Sequence, residues 1–175
     1  WEGKMSVRGS AQSPFKNLYP MGRFGVFIPG GKEEYTLSQA LYPRRDASRC
    51  RQVYVNLDFR AGATPSGAGG YHRFWIGGST KSPAVEILIT SDRLFQRIDN
   101  DIQPLATLQS NQWHSLQLVL DLEHKRVSGS VSRADARLDL GTHPLSKEWS
   151  GIINYVQLDS SLRSSAQLAT LEIDN

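Results

Sequence analysis

The sequence predicts an all-β fold, a sandwich of two antiparallel sheets, and three observations carry that prediction. Over residues 113–122 a leucine-rich side alternates with a mostly polar one. His114, Leu116, Leu118, Leu120 and Leu122 fall on one side, and Trp113, Ser115, Gln117, Val119 and Asp121 on the other. A period of two marks a strand with one dry face and one wetter face, as in an antiparallel sheet packed on one side. A short charged turn, Glu123-His124-Lys125, follows, and residues 127–131 return as a second strand. Elsewhere short strand-like runs are separated by turn residues at the spacing of a sandwich.

At 175 residues the chain reads as one domain, 1–175, large enough to bury a core without cross-links. Cys50 is the single cysteine, so no internal disulfide forms. The net charge of +3 is small and scattered, densest at Arg44-Arg45 and around Arg49 and Arg51. That falls short of the basic stripe of a nucleic-acid binder. No apolar run approaches the ~20 residues of a membrane span, and no signal peptide is visible. The start at Trp1 rather than Met reads as a piece excised from a larger protein.

Taken in order, Ser13-Pro14 and Tyr19-Pro20 signal turns, and 24–28 is a short strand closed by Pro29-Gly30-Gly31. Residues 32–50 are polar, with Leu37, Ala40 and Leu41 at helix-like spacing, which predicts a short helical turn or a long loop. Residues 53–60 alternate with Val53, Val55, Leu57 and Phe59 inward. The glycine-rich stretch 62–70 is followed by strand-like residues rather than a helix, so it reads as a connector and not a phosphate cradle. Strands at 84–90 and 93–98 flank a hairpin turn at Ser91-Asp92. A polar loop is expected around Leu138-Asp139-Leu140, up to Trp149. Strands at 152–159 and 168–174 complete a set of about nine to ten.

The Trp113-His114 pair, the leucine ladder, Asp121 with its charged turn, and Val127-Ser128-Gly129-Ser130-Val131 resemble a family hallmark. They resemble the laminin G-like segment of the concanavalin A-like lectin/glucanase superfamily. The closing Ala169–Asn175 stretch, ending Ile173-Asp174-Asn175, resembles the last strand of those jelly rolls, where the opening residues would pair with it. The resemblance implies a jelly-roll sandwich in an extracellular or periplasmic protein. It also implies a structural Ca2+, for which Asp174 is the one weak candidate and Asp99-Asn100-Asp101 reads as a solvated turn. The superfamily includes sugar-binding modules, hydrolases, lyases and protein-binding domains, so fold does not select among them.

Catalysis finds little support in the residues. Retaining glucanases of this fold resemble an E-x-D-x-x-E pattern, which faces two carboxylates into one cleft about 5 Å apart. Asp58, Glu86, Asp121 and Asp159 instead stand singly on their strands, leaving only a pair formed across strands open. The alginate-lyase signatures R-x-E-[LV], Q-[IV]-H and Y-F-K-x-G are absent. His72 falls on the side of Phe74 and Ile76, and His114 on the leucine side, so both are expected to be buried or satisfied. Zinc-ligand spacing is absent.

The outward positions are more specific. Tyr54, Asn56 and Asp58 come from one strand, and Tyr71, Arg73 and Trp75 from the next. Glu86, Phe95 with Arg97, Gln117, and Tyr155 with Gln157 follow from others. Rings stack on the C–H faces of sugars, while amides, carboxylates and guanidinium groups pair with hydroxyls. Arg73 and Arg97 could also grip a sulfate or carboxylate. The competing reading is packing, with Arg97 paired to Glu86 across neighbouring strands. Trp113 is expected as a core anchor. The sequence therefore predicts a non-catalytic carbohydrate-binding module for a polysaccharide, with an acidic one among the candidates, attached to other domains. A lyase or hydrolase on the same fold, or a protein-interaction or spacer domain, is the alternative.

Overall fold

The computed structural model describes the chain except for residues 1, 10–12, 16–24, 47, 64–68, 79–81, 162–165 and 175. The described residues form thirteen strands and no α-helix. In chain order they are β1 (Ser6–Arg8), β2 (Gly25–Ile28), β3 (Thr36–Asp46), β4 (Gln52–Ala61) and β5 (Tyr71–Gly77). Then come β6 (Pro83–Ile89), β7 (Arg93–Ile98), β8 (Asp101–Thr107) and β9 (Trp113–Asp121). The last are β10 (Arg126–Ser132), β11 (Arg137–Pro144), β12 (Ile152–Ser161) and β13 (Leu171–Asp174). They build a seven-stranded sheet, β1-β2-β13-β4-β9-β10-β11, and a six-stranded sheet, β3-β12-β5-β6-β7-β8.

The leucine ladder sets the register of the larger sheet. Leu116, Leu118 and Leu120 are buried in one core cluster with Leu57 and Phe59 of β4 and Val127 and Val131 of β10. Phe74, Ile87, Leu94 and Leu158 enter the same cluster from the other sheet. A slip of one residue would turn all three leucines to the outside. At about 1.5–3 kcal/mol for each buried leucine, that loss is roughly 5–9 kcal/mol, comparable to the whole stability of a domain.

The turn after β9 has a local cause. Asp121 Oδ1 accepts from the His124 backbone N–H at 2.9 Å, and Asp121 Oδ2 meets His124 Nδ1 at 2.8 Å. These bonds hold the Asp121 carboxyl below its ordinary pKa. Lys125 takes a left-handed φ of 53° to close the hairpin.

Both inward histidines are buried. The His72 Nε2–H donates to the Ala169 carbonyl at 3.0 Å, so Nδ1 is the acceptor for the Tyr35 hydroxyl at 2.7 Å. Burial lowers His72 to a pKa of about 4. It also pushes the Tyr35 phenol well above its ordinary value, with the Asp159 charge adding to the effect. His114 stacks on Phe59 at 5.5 Å and its Nε2 accepts from the Gln109 backbone. Its Nδ1 has no hydrogen-bond partner among the described residues.

Three expectations are corrected and one strand is added. Residues 36–46, expected as a helical turn or loop, are the strand β3, because pairing with β12 outweighs a weak helical spacing. Leu138–Leu140 lie in β11, paired with β10 across a bulge at Gly129/Ser130, and not in a loop. Residues 101–107 form β8, a largely exposed edge strand with no apolar alternation to announce it. The closing strand β13 pairs with β2 and β4; the opening strand β1 lies one place further out, on β2. The Tyr19-Pro20 signal, Phe24, the middle of the glycine-rich stretch and Asn175 lie outside the described residues.

Candidate functional site

The outward residues predicted to share one face divide between two. Tyr71, Arg73 and Trp75 of β5, Glu86 of β6, Arg97 of β7, and Tyr155 and Gln157 of β12 belong to the six-stranded sheet. Tyr54, Asn56 and Asp58 of β4 and Gln117 of β9 belong to the other. Alternation separates inside from outside on each strand, but a sandwich has two outsides. Which sheet a strand joins is decided by long-range pairing, which a period of two does not encode.

On the six-stranded sheet the outward residues form two rows in register. One runs Thr36, Asp159, Arg73, Leu88, Phe95, Pro104; the next runs Ser38, Gln157, Trp75, Glu86, Arg97, Ile102. Arg73 links the rows. Its Nε and Nη2 donate to Asp159 Oδ1 and Oδ2 at 2.8 and 2.6 Å, and its Nη1 reaches Glu86 Oε1 at 3.4 Å. Arg97 Nη1 lies 3.6 Å from Glu86 Oε2, and Gln157 Nε2 donates to Asp159 Oδ2. Two guanidinium groups and two carboxylates thus bridge β12, β5, β6 and β7.

Burial and charge pull against each other in this network. Glu86 is raised above its ordinary pKa because desolvation outweighs the attraction of Arg97 and Arg73, with the Asp159 charge adding to the rise. The hydrogen bonds to Asp159 raise Arg73, fixing its charge. Rings flank the network. Trp75 packs against Tyr155 at 5.5 Å, and Tyr71 meets Phe95 edge-on at 6.0 Å. Trp75 is only 2% exposed, so its ring supports Tyr155 and is not itself a platform. Tyr71, Phe95 and Tyr155 keep part of their surface in solvent.

Asp159 is the residue sequence reasoning left out of the binding set. The signal was available, since it alternates with Tyr155 and Gln157 on one strand. Its partnership with Arg73 was not legible, because it rests on β12 lying beside β5.

The outer face of the seven-stranded sheet is different. Tyr54 is 74% exposed, with its hydroxyl bonded to Gln52. Asn56 accepts from Ser115 and donates to Asp58. Asp58 and Asp174 are buried side by side under Ser13, whose hydroxyl donates to Asp58 at 2.7 Å and whose backbone N–H donates to Asp174 at 2.8 Å. Trp113 is half-buried on this face beneath the Arg60 guanidinium at 5.3 Å, and so is not a core anchor.

Calcium needs six to eight oxygen ligands. Among the described residues no group of three or more His, Cys, Asp or Glu could hold a metal. An Asp174 oxygen is taken by Ser13, and Asp99 Oδ1 by Ser146 and Lys147. The described residues therefore do not fit a calcium cage. Among them no helix is long and apolar enough to cross a membrane. Trp149 is half-buried against the core, and its indole N–H donates to the Ile152 carbonyl at 2.7 Å.

Comparison with family models and with curated proteins finds no match. Solved structures do match. A sialidase superposes with a TM-score of 0.55 at 12% identity, covering 81% of this chain. The chain spans only 15% of that protein. Peanut lectin, solved with a nine-residue peptide, gives a TM-score of 0.55 at 8% identity over 99% of this chain and 97% of its own. The carbohydrate recognition domain of Emp46p, potassium-bound, gives 0.54 at 11% over 98% and 85%. Identities this low speak to fold alone: the chain has the concanavalin A-like lectin/glucanase jelly-roll fold.

Proposed function

We propose that this domain is a non-catalytic carbohydrate-binding module that lays a polysaccharide across the outer face of the six-stranded sheet. The observation that carries the reading is the chain Asp159–Arg73–Glu86–Arg97, fixed across four adjacent strands between the ring pairs Tyr155–Trp75 and Tyr71–Phe95. Side chains already ordered by one another lose little entropy on binding. Tyr71 and Tyr155 offer ring surface, Glu86 offers a hydrogen-bond acceptor, Gln157 holds Asp159 in place from below, and Arg97 retains donors for a sulfate or carboxylate. The face balances two cations with two anions, which favours a glycan over a nucleic acid. Peanut lectin and the Emp46p domain are themselves carbohydrate recognisers by name. On this reading the module works outside the cytoplasm, extracellular or periplasmic, attached to other domains.

Affinity gels containing neutral, uronate and sulfated polysaccharides test this. At least one polysaccharide should retard the protein, and Arg97→Ala or Tyr155→Ala should weaken it about tenfold, near 1.4 kcal/mol. Full retardation of both variants would overturn the assignment of this face. Failure of every glycan would favour a protein-interaction or spacer role.

One observation favours a second reading, glycan cleavage. Burial raises the pKa of Glu86, which shares Arg73 with Asp159, and two carboxyl groups in unlike surroundings on one face are what a glycosidase needs. Against it, both carboxylates are engaged by guanidinium groups, and β5 separates their strands. New reducing ends or unsaturated products that vanish in Glu86→Gln would establish cleavage.

A further inference from the structure

We propose a second saccharide site on the opposite side of the sandwich, suited to an acidic sugar and independent of the six-stranded face. An open cleft of about 570 Å³ lies there, lined by Phe15, Ser115, Gln117, Ser132, Arg133 and Arg137 among others. Its construction follows from register. The row Asp174, Asp58, Ser115, Ser132, Arg137 crosses β13, β4, β9, β10 and β11. The row is acidic at one end and basic at the other. Ser13 is pinned over the acidic end by its bonds to Asp58 and Asp174, and its hydroxyl also accepts from the Phe15 N–H at 3.0 Å. That anchoring holds Phe15 in the lining of the cleft that Arg133 and Arg137 share.

The bulge at Gly129/Ser130 brings Arg137 into register with Ser132. Arg137 and Gln117 are exposed and have no hydrogen-bond or ion-pair partner among the described residues. Both residues line the cleft, so an amide and a guanidinium with uncommitted hydrogen-bonding groups face the same opening. Arg133 is held by Asp135, leaving Arg137 as the open cation. One ring, hydroxyls, an amide and an open guanidinium match a pyranose bearing a carboxylate: the ring takes its C–H face, and Arg137 takes the acid.

The test is a titration of isotope-labelled protein, followed by amide NMR, with sodium glucuronate, glucose and sodium sulfate in parallel. Glucuronate should give saturable shifts at Gln117, Ser132 and Arg137, with glucose at least fivefold weaker. Arg137→Ala should abolish them and Phe15→Ala should weaken them. Arg97→Ala, which probes the six-stranded face, should leave them in place, so each site can fail without the other. The proposal is overturned by the absence of saturable shifts, by shifts that survive Arg137→Ala, or by their loss in Arg97→Ala. It is equally overturned if sulfate matches glucuronate, since the cleft would then hold only a bare anion.

Discussion

Arg73 and Asp159 stand at directly opposed positions of β5 and β12 and meet through two parallel hydrogen bonds, at 2.8 and 2.6 Å. The fork fixes the plane of the guanidinium and leaves its third nitrogen facing Glu86. A lysine at the same place would supply charge without that geometry.

Removing this fork should cost stability through the anions it leaves behind. Asp159 and Glu86 side chains are only 6% and 12% exposed, whereas Arg73 is 30% exposed, so water screens part of the pairing. Arg73→Ala is expected to cost about 2 kcal/mol, below the range for a fully buried pair. Urea denaturation of Arg73→Ala, Asp159→Asn and the double variant should give a coupling above about 1 kcal/mol. Additive effects would show that the two side chains merely pack.

The buried His72 gives stability a pH dependence of defined sign. Its folded pKa of about 4 lies below the ordinary 6.5, so the unfolded chain takes up the extra proton. Its contribution is complete above 6.5 and is lost as pH falls towards 4, about 3 kcal/mol in all. Glu86 acts in the opposite sense: with its pKa raised, its contribution is present below its ordinary 4.5 and lost as pH rises. His72→Gln, though less stable overall, should reduce the first slope to the share left by His114, whose pKa burial also lowers, and keep the second. An unchanged profile between pH 6.5 and 4 would contradict the assignment.

The two rings of the Trp75–Tyr155 pair should separate folding from binding. Trp75→Ala empties a buried position and should lower stability by about 3–5 kcal/mol. Tyr155 is half-buried, and its loss should cost less, about 1–2 kcal/mol, while weakening glycan retention. Melting curves run beside affinity gels check both halves. A Trp75→Ala protein with unchanged stability would mean the ring is not packed as described.

Gly129 has a steric reason to be glycine. A Cβ there would sit 2.3 Å from the Gln117 carbonyl oxygen, inside the β9–β10 ladder. Gly129→Ala should therefore cost about 3 kcal/mol, near the upper end for overpacking. Chemical denaturation measures it, and a loss below about 0.5 kcal/mol would refute the close approach.

Much of the fold could be read in the chain because burial imposes a period. The ladder from His114 to Leu122 and the run from Val53 to Phe59 are opposed in the structure, Leu57 to Leu116 and Val53 to Leu120. Where a strand buries little, the period fades. β8 is mostly exposed, and β11 buries only Leu140, so neither was legible. The candidate site was legible by residue type and not by place. Arg73, Arg97 and Glu86 were named on adjacent strands, and they do meet. Tyr54, Asn56, Asp58 and Gln117 satisfy the same alternation on the other sheet, and only long-range pairing separates the two groups.

The most direct test of the central claim is an amide NMR map of the protein with a polysaccharide that retards it. The account predicts shifts on β5, β6, β7 and β12, around Arg73, Glu86, Arg97 and Tyr155, whether or not the cleft at Arg137 also responds. Shifts confined to the loop at Trp149 or to the seven-stranded sheet, with those four strands unmoved, would contradict it.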